Sequence, residues 1–178
     1  MMLNIKSLLF YALTLAPLIL AHPQDDGKGK GGHKGKGYLT DREAYDIVQL
    51  FFSFFEAGFD PAVAERTLTE DFVEQSGGLN FPTGQNSTAT TSKAQFIERQ
   101  IGSTANTMTV YTALDWFHDC SNIAVHWVDN SAPAQVLGID YLILEKDTRR
   151  IKKSFVEANI GAILFNAGFP ECQGPAPA

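Results

Sequence analysis

Two groups in this chain could move a proton, and they stand on neighbouring apolar segments. His126 lies in Ile123-Ala124-Val125-His126-Trp127-Val128, and Asp140 in Gly138-Ile139-Asp140-Tyr141. On an extended strand His126 shares a face with Ala124 and Val128. Such an apolar setting would keep the imidazole neutral and available as a base. Asp140, on a strand expected to pair nearby, could orient that histidine or act itself. Asp115, Trp127, Tyr141 and Glu157 belong to the same expected strands and are candidate binding residues directed into a shared space. Each also has an ordinary structural role open to it: a satisfied core histidine, a solvent-facing carboxylate, a core tyrosine. His118 and His126 flank a short turn, where register could bring them together. No third His, Cys or carboxylate stands at ligand spacing beside them, so no metal site is expected. No organic cofactor is expected either.

Helices come first and strands last in the elements that must position these residues. Thr40-Asp41-Arg42-Glu43 is a capping box, and Ile47, Val48, Phe51, Phe52 and Phe55 recur after it at helical spacing, towards a stop at Gly58. Asp60 and Pro61 restart a helix as N-cap and N1, with Val63, Ala64 and Leu68 on one face. Phe72 and Val73 open a short strand. Ser92 and Gln95 form a second capping box before Phe96, Ile97 and Ile101. From residue 107 the pattern turns β-branched and aromatic, with strands expected over 107–117, 123–128, 138–146 and 150–158. Lys146, Arg149, Arg150, Lys152 and Lys153 read as a solvated hairpin tip. Ile139, Tyr141 and Ile143 fall on one face of the closing hairpin, and Leu142 and Leu144 on the other. Both faces are therefore expected to be covered. Helices supply one cover, and the apolar tail 160–165 or a second copy of the chain supplies the other.

The ends differ from the body in composition. Residues 1–21 carry Lys6 as their only charge before an apolar run, and read as a signal peptide cleaved after Ala21. Residues 22–37 are rich in Gly and Lys, include His22 and His33, and read as a disordered tether. The body, 38–172, precedes a disordered tail, 173–178. Five of the 14 Lys+Arg precede Tyr38 but only two of the 20 Asp+Glu do, so the body is strongly acidic. That balance argues against nucleic-acid binding, which needs a basic face. After signal cleavage no membrane partner is expected, and the localisation expected is secreted. Cys120 and Cys172 are the chain's 2 cysteines. In an oxidising compartment they favour a disulfide, which would close about 50 residues and stabilise the fold by roughly 4 kcal/mol. Asn86 heads the sequon Asn-Ser-Thr and is the expected glycosylation site. Most of the 13 Phe and both Trp fall in the body, enough to build a core or line an apolar cavity.

In several of these features the chain resembles the NTF2-like (SnoaL-like) superfamily, in particular its small secreted fungal members. They are the long first helix, Asp60-Pro61-Ala62 leading to Thr69-Glu70-Asp71-Phe72-Val73, and the closing Gly138-Ile139-Asp140-Tyr141, Arg150-Ile151 and Asn159. The resemblance spans about residues 40–166. It implies an α+β cone, in which a strongly curved antiparallel sheet wraps around N-terminal helices and leaves a pocket. Ketosteroid isomerase, scytalone dehydratase, limonene epoxide hydrolase and polyketide cyclases have this fold, and other members only bind ligands or proteins. None of those active sites aligns residue by residue with this chain, so no catalytic residue is carried over. The expected function is a pocket for a small apolar molecule, with isomerase, dehydratase or cyclase chemistry at His126 and Asp140. The alternative is a non-catalytic secreted binding or effector-type module. A homodimer through the open sheet face completes the expectation.

Overall fold

The first helix, α1 (Asp41–Phe52), begins where the sequence places its cap. Glu43 N–H donates to Thr40 Oγ1 at 3.2 Å, and Thr40 N–H to Glu43 Oε2 at 2.8 Å. Ala44, Val48, Phe51 and Phe52 are buried, one stripe on a 3.6-residue period. Gly58, with φ +86°, turns the chain back, and Asp60 caps α2 (Pro61–Thr67) through Ala62 N–H. Strand β1 (Leu68–Gln75) follows without a loop, longer than the short strand at Phe72-Val73 that the sequence predicts. Next come the single turn α3 (Gly77–Asn80), β2 (Thr88–Thr90) and α4 (Lys93–Gly102). At α4 the capping exchange is displaced by one residue: Ser92 Oγ accepts from Gln95 N–H, while Gln95 Oε1 accepts from Thr91 N–H at 2.8 Å. The remainder is β3 (Tyr111–His118), β4 (Asn122–Asp129), β5 (Val136–Leu144), β6 (Ile151–Ala158) and α5 (Ile160–Asn166). The computed structural model describes residues 38–80, 84, 88–102, 109–130 and 133–169. The signal peptide, tether, tail, Asn86 and Cys172 lie outside them, and with Cys172 the expected disulfide. Among the described residues no helix is long and apolar enough to cross a membrane.

The strands form one open sheet in the order β2-β1-β6-β5-β4-β3. It is antiparallel except between β1 and β6, which run parallel. That pair departs from the all-antiparallel expectation, because the chain returns to β1 only after the long crossover through α4 and the meander. Irregular register at Ala113/Asp115, Ile143/Leu144 and Glu74/Gln75 bends the strands, and the helices pack inside the resulting curve. This is the α+β cone expected from the sequence.

Covering of the sheet differs from expectation. Along β5 burial alternates cleanly, with Gly138, Asp140, Leu142 and Leu144 inside and Leu137, Ile139 and Tyr141 outside. The tail helix α5 does not cover the outer face. Its Ala162 and Ile163 pack against the inner core instead. Ile139 therefore stays 55% exposed and Phe117 73% exposed.

Aromatic rings join helices to sheet. Phe96 of α4 stands 5.2 Å from Phe72 of β1, and 5.9 Å from both Phe54 and Phe55 after α1. All three contacts are edge-to-face, the arrangement that the ring quadrupole favours. Two cations fasten the same helix. Lys93, 5% exposed, reaches Glu65 of α2 at 2.6 Å and Glu70 of β1, while Arg99 pairs with Glu74 of β1. Replacing Phe96 by Ala should cost about 3–5 kcal/mol of unfolding free energy in urea. A loss below about 1 kcal/mol would mean that this ring is not the joint described.

Candidate functional site

Inside the cone is a cavity of about 260 Å³. Six elements bring polar groups to it: Asp140 from β5, Glu74 from β1, Arg99 and Gln100 from α4, Trp127 from β4, Tyr111 from β3 and Asn80 from α3. Phe55, Ala89, Val156, Ala158 and Ile163 complete an apolar wall. Strand register explains why Asp140 belongs there. Its partners across the sheet are Val125 and Val156, so it stands in an inward-facing row between two valines. It is 3% exposed.

Burial pushes the Asp140 carboxyl up to about 7. The Trp127 indole N–H works against that rise, and the negative charge of Glu74 adds to it. The indole is close enough to act on the carboxyl, yet the two close no hydrogen bond of good geometry. Trp127 Nε1 and Asp140 Oδ1 are both buried without a hydrogen-bond partner. Glu74, also 3% exposed, is likewise raised by burial, and Arg99 beside it pulls it back. Burial raises the Tyr111 hydroxyl too, helped by the charges of Asp140, Asp129, Glu56 and Glu74. Its ring is wedged against Trp127 at 4.9 Å and stacked on Phe52 at 5.3 Å. A carboxyl that exchanges its proton near neutral pH, in an apolar cavity, is suited to general acid–base work.

Of the residues the sequence proposes, the structure brings Asp140 and Trp127 together in this cavity and places the others elsewhere. His126 is exposed on the outer face, opposite Asp115 and Ile139 in register. Its neighbours Ala124 and Val128 are apolar as read, and Val128 is buried, but His126 itself is exposed, so the expected low-dielectric setting is missing. Asp115 accepts the Trp116 N–H on that outer side. Tyr141 stands outside, 6.0 Å from the Phe155 ring. Glu157 accepts from Gly77 N–H at 2.8 Å and Gly78 N–H at 3.0 Å, anchoring α3 to the sheet. His118 and His126 do not meet. His118 pairs with Ile123 in the inward row and contacts Asp41 at 2.8 Å. No cluster of metal-ligating side chains occurs among the described residues. Cys120 is half-buried in the turn before β4, its carbonyl accepting from the Arg149 guanidinium.

Glu74, Arg99, Tyr111, Gln100 and Asn80 were not among the sequence candidates. Glu74 had a readable signal: it follows Phe72 by two residues, which puts a carboxylate on the face of a buried ring. Gln100 lies four residues after Phe96 on the buried side of α4, a similar signal. For Tyr111 and Asn80 no local pattern marks the inward direction.

A family model for the NTF2-like domain matches residues 37–170. Among solved structures, a hypothetical protein with a ketosteroid isomerase-like fold from Catenulispora acidiphila, in complex with trimethylamine, is 14% identical. It covers 73% of this chain and 98% of its own, with a TM-score of 0.53. IdmH, a proposed polyketide cyclase from Streptomyces antibioticus, is 13% identical over 71% of this chain and 99% of its own, at 0.55. A proposed SnoaL-like polyketide cyclase from Shewanella denitrificans is 10% identical over 68% and 96%, at 0.51. At these identities the likeness is one of fold. Among curated proteins, none matches this chain.

The buried carboxyls give the fold a pH dependence of definite sign. Asp140 ionises near the ordinary carboxylate value of about 4 when unfolded, and at about 7 when folded. Between those values the folded state holds the extra proton, so the contribution of Asp140 to stability is fully present below about pH 4 and is lost as pH rises through 7. Glu74 acts in the same direction. Urea unfolding across this window should show that loss, and Asp140→Asn should make it shallower. Equal slopes in the two proteins would mean that Asp140 titrates alike in both states.

Proposed function

Because the chain belongs to the NTF2-like domain family, we propose that its cavity takes a small, mostly apolar molecule on which Asp140 moves a proton. The reaction class is isomerisation, dehydration or cyclisation, with proton transfer at carbon and no organic cofactor. One observation supports this above the others: a carboxyl without a cation beside it, unpaired at Oδ1 and walled by valines, belongs to the lining of the cavity. A purely structural carboxyl would be expected to find its hydrogen bonds in the fold. The apolar run before Ala21 supports export, and we place the protein outside the cell.

The test is hydrogen–deuterium exchange at the α-carbon of 1-tetralone, a flat ketone small enough for the cavity, followed by NMR in deuterated buffer. The protein should accelerate exchange above buffer, and Asp140→Asn should lower the rate by about 10²-fold or more. Exchange that matches buffer would leave the chain a non-catalytic binding module, and accelerated exchange that survives in Asp140→Asn would remove Asp140 from the mechanism. His126→Ala should exchange at the wild-type rate, since that imidazole is outside the cavity.

We further propose a second copy of the chain as the cover for the outer sheet face. Phe117, Ala124, Tyr141 and Phe155 form one outward row, and Asp115, His126, Ile139 and Glu157 the next. The first row, extended by Ile139 of the second, is an apolar strip that a two-fold axis can set against its own copy. Light scattering at micromolar concentration should give twice the monomer mass, and Ile139→Asp should return it to one. A monomeric wild type would remove this proposal.

A further inference from the structure

The charged groups of the cavity leave one carboxyl over. Glu74 and Arg99 form an ion pair, while no cation acts on Asp140. Asp140 Oδ1 is buried without a hydrogen-bond partner, on a residue that is 3% exposed. Much of the remaining lining is aromatic, supplied by Phe55, Tyr111 and Trp127. The planes of Tyr111 and Trp127 stand at 83° with centroids 4.9 Å apart, and those of Phe55 and Tyr111 at 68° and 6.2 Å. Each ring turns steeply from the next, so the three make a bent wall rather than a stack. Gly138 gives Trp127 its place in that wall. It faces Trp127 in the β4–β5 ladder, and a Cβ built on it would come within 2.2 Å of Trp127 Cζ2.

We infer that the cavity is a binding site for a small alkylammonium ion, with Asp140 as its counter-ion and the rings of Phe55, Tyr111 and Trp127 as its wall. The inference goes beyond the proton-transfer reading and does not depend on it. A carboxylate taken out of water is favoured by an opposite charge brought close to it. An anionic ligand would meet Asp140 and Glu74 as like charges. A neutral apolar ligand would leave Asp140 without a partner. A hard divalent cation asks for several oxygen ligands, and no cluster of metal-ligating side chains occurs among the described residues. An alkylammonium spreads its charge over methyl or methylene groups, which sit well against the negative faces of aromatic rings. Arg99 also lines the cavity, but Glu74 answers its charge and leaves that of Asp140 for the ligand.

The experiment is titration calorimetry with choline and with 3,3-dimethylbutan-1-ol, which has the same frame with carbon in place of the charged nitrogen. Above the pH at which Asp140 ionises, choline should bind about 30-fold more tightly than the alcohol. Asp140→Asn should remove that preference and leave the affinity for the alcohol little changed. Trp127→Leu should lower the preference by about 3- to 30-fold. Glu74 of β1, Arg99 of α4 and Tyr111 of β3 are the other titratable groups of the cavity. Arg99 and Tyr111 keep their protons across neutral pH, so the two carboxyls set the profile. Choline affinity should rise as pH climbs through about 7, more steeply than in Asp140→Asn, while alcohol affinity stays level. Choline that binds no tighter than the alcohol overturns the inference, and so does the same pH profile in Asp140→Asn as in the wild type. A choline preference in a protein that exchanges no ketone hydrogen keeps this inference and removes the acid–base reading. Ketone exchange without a choline preference does the reverse.

Discussion

A carboxyl buried between two valines is the constraint around which the rest of this structure is arranged. Taking Asp140 out of water disfavours its charged form, and no cation among the described residues faces it to offset that cost. The inner face of β5 could have carried an aliphatic side chain at that point, continuing the row that Val125 and Val156 begin. A polar group kept there interrupts that row of valines. The fold accommodates it by leaving a cavity beside it, lined by groups whose own needs are partly unmet.

The cavity exists because the helices fill only part of the curve of the sheet. Phe96 and its ring neighbours close the side nearest α1 and β1, where the edge-to-face contacts are dense. Lys93 and Arg99 then hold α4 against β1 by ion pairs at two points about two turns apart. Both cations are on the helix, and their carboxylates lie on the flanking elements, so α4 cannot slide along the strand without breaking one pair. A partly buried ion pair adds little net stability, but breaking one strands a buried charge, which penalises misplacement. The position of Arg99 and Gln100 at the cavity edge follows from that restraint.

Element order, helix starts and the closing hairpin were legible because they depend on local chemistry. Thr40 and Glu43 cap α1 as read, Asp60 and Pro61 open α2, and the hairpin pairs Gly138–Leu144 with β6. The choice of face was not legible. Alternation shows that His126 shares a side with Ala124 and Val128, and Asp140 with Leu142, but not which side the helices occupy. Usually the more apolar side decides. Here the outer side carries Ile139, Phe117, Tyr141 and Val128, so the usual cue pointed both ways. The inner side carries Asp140, Glu74 and Ser154, which a composition argument would have sent outward. Trp127 and Gly138 formed another unreadable pair, since their opposition depends on register across the Asn130–Gln135 connection.

The two buried carboxyls of the cavity would repel if both ionised, and the structure separates their roles by giving them different neighbours. Glu74 has the Arg99 guanidinium, which opposes the rise that burial causes. Asp140 has only the dipole of an indole N–H, a far weaker partner. Burial raises both carboxyls, and a guanidinium opposes that rise only at Glu74. The Glu74 charge then raises Asp140 further, so the Arg99–Glu74 pair helps hold Asp140 near neutral without touching it. Two like groups in one cavity become unlike by the position of a single cation, and the one left without it is the one free to trade a proton.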